Sequence, residues 1–269
     1  MFSVVLPAYN CEDTIITVIK SILQQTRFDL IDEIIVINDG STDNTGNIIK
    51  EFIDKNVNTK VIYIEQDNHG VSYTRNRAIK MARAEWIALI DSDDVWLPNK
   101  IEHQVYYLNQ NSNIVFMGAD ANLRFWFFHK KGLYNVSPRE LCIRYTPVTP
   151  SIIFKRKIGI ELGLFNEEMK YCEDINFYQR FLLKKSYYVL CEKLVEIGIG
   201  KEYFGQSGLS SNLYKMHMGR KQNTKELYEM GLISKGYALL TQFCNELKYL
   251  RRCLLQKLSA YKSKRKMMR

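Results

Sequence analysis

Over its first hundred residues the chain alternates between two hydrophobic periods. Short apolar runs at residues 3–6, 34–37, 61–64 and 86–90 look like strands buried on both faces. Between them, Ile15, Val18, Ile19, Ile22 and Leu23 recur at helical spacing, as do Ile48, Ile49, Phe52 and Ile53 in a helix from about residue 44. A third helix runs through Arg75, Asn76, Ala78, Ile79 and Met81. Four strands alternating with three helices predict right-handed βαβ units and an α/β fold with a mostly parallel, doubly wound sheet. Pro7 has no backbone N–H, so the first strand is expected to stop before it. Glu12 and Asp13 are expected at the start of the first helix, where the dipole favours acids.

Pro98 suits the first turn of a fourth helix carrying Ile101, Val105 and Leu108. Past Asn113 the alternation loosens. Residues 114–117 and 123–128 read as strands joined by a turn, 151–155 as a further strand and 159–168 as loop. A helix is expected over 173–184, short strands over 187–190 and 194–197, and a polar loop over 205–211. The remainder reads as helical and basic.

Right-handed crossovers gather the loops that follow the strands on one sheet edge, where ligands bind in open α/β folds. That edge would hold residues 7–10, 39–43 and 91–94. Asp91 and Asp93, one residue apart at a strand end, can both reach one hard cation. Oxygen-only ligands suit Mg2+ or Mn2+, which are usually shared with substrate phosphates. A polar loop capping the strand is the plain alternative, since Asp and Ser are ordinary loop residues. The convergence of three distant stretches on one edge favours a ligand site. Asp39-Gly40 can likewise be a turn in which Gly supplies a positive φ. Trp96, just after the acids, can meet a sugar or pack. His69, His103, His129 and His217 are too scattered to form a metal cluster.

At 269 residues, with 46% hydrophobic and 25% charged residues, the chain can bury a sizeable core and is not disordered as a whole. Its six cysteines show neither metal-ligand spacing nor a disulfide framework. Nothing before the first strand reads as a signal peptide, and no run approaches the roughly 18 apolar residues of a spanning helix. A cytoplasmic protein with reduced thiols is the expectation. The formal net charge is +9. Residues 247–269 carry nine Lys and Arg and no acid, which accounts for the whole excess. Apolar residues at 247, 250, 254, 255, 258 and 261 alternate there with cations, the pattern of a membrane-surface element. A helix docked on the body and a disordered end are the alternatives. No aromatic-rich nucleic-acid motif is present, so no nucleic-acid partner is expected.

Four motifs occur in order: Val4-Val-Leu-Pro-Ala-Tyr-Asn10, Ile35-Val-Ile-Asn-Asp-Gly-Ser-Thr-Asp43, Arg75-Asn76 and Ile90-Asp-Ser-Asp-Asp94. With Gly163-Leu-Phe-Asn-Glu167 and Tyr171-Cys-Glu-Asp174, they resemble family 2 glycosyltransferases of the bacterial surface-polysaccharide type, over about residues 1 to 215. The resemblance implies a GT-A (nucleotide-diphospho-sugar transferase) fold in residues 1–215, with a nucleotide-binding half at 1–110 and an acceptor half at 111–215. A basic helical extension over 216–269 matches nothing in the family. It implies inverting transfer of a sugar from a nucleotide donor, usually a UDP-sugar, to a saccharide or lipid-linked saccharide acceptor. Pro7, Ala8, Tyr9, Glu12 and Asp39 would contact the nucleotide, with Asp39 accepting from the base and Tyr9 framing it. Arg75 and Asn76 would approach the diphosphate; for Arg75 a solvated helix face shared with Arg77, Lys80 and Arg83 is the alternative. Asp93 resembles the metal-binding aspartate, and Asp91, beside Ser92, the one near the ribose or the metal. Asp174 matches the family's base, with Glu173 as the adjacent candidate; alternatively both acids simply favour a helix N-terminus. The loop at 205–211 would close over the diphosphate or serve as an inert linker.

The resulting expectation is a transferase dependent on Mn2+ or Mg2+ at the inner face of the plasma membrane, which it contacts through the basic tail. A sugar-nucleotide nucleotidyltransferase would release pyrophosphate instead of UDP, and no Gly-rich phosphate loop near the N-terminus supports one. A non-catalytic nucleotide-sugar binding module conflicts with the intact acids at Asp39, Asp91, Asp93 and Asp174. A dinucleotide-dependent oxidoreductase is excluded, because no Gly-x-Gly-x-x-Gly follows the first strand.

Overall fold

In the computed structural model, residues 1–56, 59–119, 132–144, 147–199 and 211–267 are described. The expected βαβ units are β1 (Phe2–Ala8), α1 (Ile15–Leu23), β2 (Ile31–Asp39), α2 (Thr45–Lys55), β3 (Val61–Gln66), α3 (Val71–Met81) and β4 (Trp86–Leu89). The strands alternate apolar side chains between two faces. Val4, Leu6, Ile34 and Val36 meet α1 and α2 on one side, while Val5, Ile35 and Ile37 meet α3 on the other. This double burial explains why the strands read as continuous apolar runs.

β1 does not stop before Pro7. It pairs with β2 as far as Ala8 opposite Asn38. Val5 accepts from Ile90 on the β4 side, so Pro7, two residues on, has its missing N–H on that same side. Pairing with β4 has already ended there at Val5 opposite Leu89, so the ring costs the ladder nothing.

After β4 come β5 (Val95–Trp96), α4 (Lys100–Gln110), β6 (Phe116–Ala119), β7 (Leu133–Asn135), α5 (Pro138–Arg144), β8 (Ile153–Lys155) and α6 (Arg156–Glu161). Then follow α7 (Glu173–Gln179), β9 (Tyr188–Leu190), β10 (Val195–Glu196), α8 (Leu213–Glu229) and α9 (Lys235–Met267). Eight strands form one sheet in the order β3-β2-β1-β4-β8-β6-β9-β7. β3, β2, β1 and β4 are parallel, β8 enters antiparallel to β4 and β6, and β9 is parallel to β6. The fold is α/β, with a mostly parallel half-sheet and a helical C-terminal region, as the resemblance to a GT-A fold implies.

Three other expectations need correction. α6 runs three residues into the stretch read as loop, ending at Glu161, while 162–168 hold no helix or strand; at its start, Arg156 donates to the carbonyls of Ile79 and Lys80 at the end of α3. α4 begins at Lys100, with Pro98 in the preceding turn. The helix expected over 173–184 ends at Gln179 and continues as a 3-10 turn, Arg180–Lys184. The strand expected at 123–128 and the loop at 205–210 lie outside the described residues.

Candidate functional site

The loops after β1 and β2 are stitched together. Asn10, in a left-handed conformation (φ 46°), donates its N–H to Ser41 Oγ and accepts the Thr42 N–H on its Oδ1. The Cys11 N–H donates to Thr45 Oγ1. Glu12 does not sit on α1, which begins at Ile15 behind Thr14. Its carboxylate instead accepts the N–H of Asn44, the residue before α2, at 2.8 Å. The dipole argument for this acid therefore applies to a helix thirty residues downstream. Pro7 is half-buried and Ala8 buried, and Tyr9 projects with half its surface exposed.

Asp39 ends β2 and is buried. Its carboxylate accepts from Gln66 Nε2 at 2.6 Å and from the backbone N–H groups of His69 and Gly70, each at 2.9 Å. Gly40 follows at φ 72°, and a Cβ there would lie 2.7 Å from the Asn68 nitrogen, so the turn demands glycine. The turn and ligand readings of Asp39-Gly40 are compatible, because the carboxylate fixes the β3–α3 loop from the ligand edge.

The acidic turn is held from both sides. Thr14 Oγ1 donates to the Ser92 carbonyl at 2.7 Å. Asp94 accepts the Gly198 N–H at 2.8 Å, and the Asp93 carbonyl accepts the Ile199 N–H. β5 pairs with β10 just beyond. Trp96 is buried and donates its indole N–H to the Pro150 carbonyl, so packing wins over sugar contact. Asp91 and Asp93 remain partly exposed on the ligand edge, while Asp94 is buried.

Arg75 joins this edge to the residues from 173 onward. It is buried, so the solvated-face reading fails for it. Nη2 donates to Asp91 Oδ1 at 2.6 Å and Nη1 to Glu173 Oε1 at 3.3 Å, with the guanidinium over the Phe165 ring. Asn76 has a different job from the one expected of it. Its amide exchanges hydrogen bonds with the Phe165 backbone and donates to Glu167 Oε1, pinning the 163–167 segment to α3.

α7 begins with Glu173 and Asp174, preceded by Cys172 in a left-handed conformation (φ 58°). Burial first, and then the Asp174 charge, push the Glu173 carboxyl up to about 7 against the pull of Arg75. Burial also raises Asp174, opposed by its hydrogen bond from the Ile175 N–H and by Arg75. Asp174 is the more exposed of the two. An acid pair with raised pKa values beside one arginine can hold or release a proton near neutral pH.

Sequence reasoning missed what supports this pair. Asn223 on α8 donates to the Cys172 carbonyl, and Asn176 on α7 donates to Asn223 and Glu226. A Cβ on Gly219 would lie 2.5 Å from the Tyr171 carbonyl oxygen. Gly219→Val should therefore push α8 off the 171–174 turn, at a cost of about 1–3 kcal/mol. Thermal unfolding reads that loss, and an unchanged midpoint would mean that the contact is not needed. No pattern in α8 identifies this contact, since the residues it buries include the polar Asn223 and Thr224; the signal for the 163–167 pin was the Gly163–Glu167 motif itself.

A sequence profile described as Glycosyl transferase family 2 matches residues 3–160. An uncharacterized glycosyltransferase of Rickettsia typhi is 32% identical over 213 residues, covering 73% of this chain. The chain spans 63% of that curated relative's length. The Escherichia coli UDP-Glc:alpha-D-GlcNAc-diphosphoundecaprenol beta-1,3-glucosyltransferase WfaP is 38% identical over 109 residues, 40% of this chain and 41% of that one. Among solved structures, the mannosyltransferase PcManGT from Pyrobaculum calidifontis, in complex with GDP-Man and Mn2+, shares the fold with a TM-score of 0.68. It is 15% identical, over 97% of this chain and 79% of that one.

Proposed function

The chain belongs to glycosyl transferase family 2, and on that premise we propose that it transfers a sugar from a UDP-sugar, with inversion, to a saccharide acceptor of surface-polysaccharide or lipid-linked oligosaccharide synthesis. One observation carries the reading: Arg75 bonded to both Asp91 and Glu173, which joins the nucleotide edge and the acid pair in a single site. The E. coli relative's name supports a UDP-sugar donor and a lipid-linked acceptor.

In this reading Tyr9 frames the base and Asp39 faces it from the floor of the edge. Pro7 and Ala8 form the adjoining wall. Arg75 acts as a strut between carboxylates and not as a phosphate ligand. Asp91 and Asp93 would hold a divalent cation, Mn2+ or Mg2+. Among the described residues no group of three or more His, Cys, Asp or Glu gathers to hold a metal alone. An acid pair on an open edge fits a cation that shares its coordination with donor phosphates and water. Such a cation, when bound, neutralises charge on the leaving nucleotide.

Inversion is a single displacement at the anomeric carbon. The acceptor hydroxyl loses its proton as it attacks the face opposite the leaving UDP. Asp174 takes that proton: it is partly exposed, and burial raises its carboxyl, which strengthens it as a base. Glu173, buried against Arg75, positions it. In this reading the transfer takes place at the cytoplasmic face of the membrane, where a lipid-linked acceptor would be met.

The test is a panel of UDP-hexoses, UDP-N-acetylhexosamines and GDP-mannose with Mn2+ or Mg2+, read by nucleotide release and product mass on a lipid-linked acceptor extract. UDP release from one UDP-sugar is expected. Chelation should abolish it, and Asp93→Ala should lower it by about a hundredfold or more, the scale of a lost metal contribution. Pyrophosphate release, or full transfer by Asp93→Ala, would sink the reading.

A further inference from the structure

Among the described residues, the outward face of α9 has no partner in the fold. Leu239, Leu240, Phe243, Leu247, Leu250 and Leu254 are each 51–61% exposed. Their spacing of three and four places them on one side of the helix. The opposite side is the one that docks. Ala238, Thr241 and Asn245 are buried there, the His217 ring of α8 stacks on Tyr249 at 4.6 Å, and Lys221 pairs with Glu246 at 3.0 Å. The exposed stripe is therefore not the helix's packing face turned outward by chance.

The exposed cations beside the stripe are Lys248 and Arg251. From Lys248 onward α9 carries Lys and Arg and no acid, and these cations account for nearly all of the chain's formal charge. We propose that this face of α9 lies on a bilayer surface bearing anionic headgroups, with Leu240, Phe243, Leu247, Leu250 and Leu254 in the acyl boundary and the flanking Lys and Arg on the headgroups. Long basic side chains beside an apolar stripe snorkel into just such an arrangement. Each cation near an anionic surface tightens binding about fivefold.

A second copy of the chain fits less well. The seam 240, 243, 247, 250, 254 has coiled-coil spacing, but the sequence offers lysine and not an apolar residue at its next position, 257. Two heptads fall short of the three or four that a stable coiled coil sustains. Two such helices side by side would also bring like charges together.

The inference deepens the reading of a membrane-borne acceptor. Vesicle binding is measured without donor, so its outcome stands apart from that of sugar transfer. The full chain is floated with phosphatidylcholine vesicles and with vesicles that also contain phosphatidylglycerol. Binding at least about tenfold tighter to the anionic vesicles is expected. Leu247→Glu with Leu250→Glu should weaken it about tenfold or more, with an unchanged unfolding midpoint because both positions are exposed. Lys248→Glu with Arg251→Glu should weaken it similarly while leaving the apolar stripe intact. Absent or equal binding to the two vesicle types would overturn the proposal. So would a lipid-free dimer, seen by ultracentrifugation, that the leucine variant dissolves.

Discussion

Asp174→Asn is expected to lower the turnover rate of sugar transfer by about a thousandfold, within the range that a positioned general base contributes. The donor KM should change little, because the substitution keeps the side chain's shape and leaves the nucleotide edge untouched. The pH dependence gives a second readout. Burial raises both carboxyls of the pair, with Glu173 pushed up to about 7. A base must be unprotonated to work, so the wild-type rate should climb as pH rises through this region and level off above it. The limb belongs to the pair and not to one residue. Asparagine cannot titrate, so the residual rate of the variant should lose most of that limb. If Asp174→Asn kept both its rate and its limb while Glu173→Gln lost them, the base would be Glu173 and the assignment made here would be reversed.

Arg75→Met is expected to cost about 3–5 kcal/mol of stability, the scale of breaking a buried ion pair from one side. Arg75 is buried and serves two carboxylates, Asp91 and Glu173. Without it Glu173, itself buried, keeps no cationic partner among the described residues and stands near both Asp91 and Asp174. At this chain length the loss corresponds to a fall of roughly 10 °C in unfolding midpoint. Arg75→Lys should recover only part of it, since one ammonium cannot reproduce a fork that bonds to two acids at once. Arg75→Met combined with Glu173→Gln should be more stable than Arg75→Met alone, because the second change removes the orphaned charge. A midpoint for Arg75→Met within about 2 °C of wild type would show that the acids do not depend on the guanidinium.

The parallel half of the sheet was legible because β1, β2 and β4 are buried on both faces and their apolar runs are unbroken. The site's edge was legible for the same reason, since handed crossovers place the ends of β1, β2 and β4 together. What could not be read was how the site's members are bonded to one another. Glu12 lies beside α1 in sequence, yet its carboxylate is spent on α2. Asn76 sits next to Arg75, but one reaches the Phe165 backbone and the other reaches Asp91 and Glu173. Neighbouring residues on a helix point about 100° apart, and only the packed structure says what each direction meets. Only the first three residues of the 159–168 stretch were misread, because α6 is tied down by Arg156 bonding to the end of α3, a tertiary contact with no local periodicity. α8 was seen as a helix but not as a support of Cys172, for the same reason.

The three donors already gathered on Asp39 have a consequence for how a nucleotide would be met. The loop from Gln66 to Gly70 is exposed at Asp67, Asn68 and His69, yet its backbone is locked by Asp39 before any ligand arrives. Its conformational entropy is therefore lost during folding and need not be lost again on binding. A preorganised floor of this kind favours association with little loop rearrangement and concentrates any induced fit elsewhere around the site.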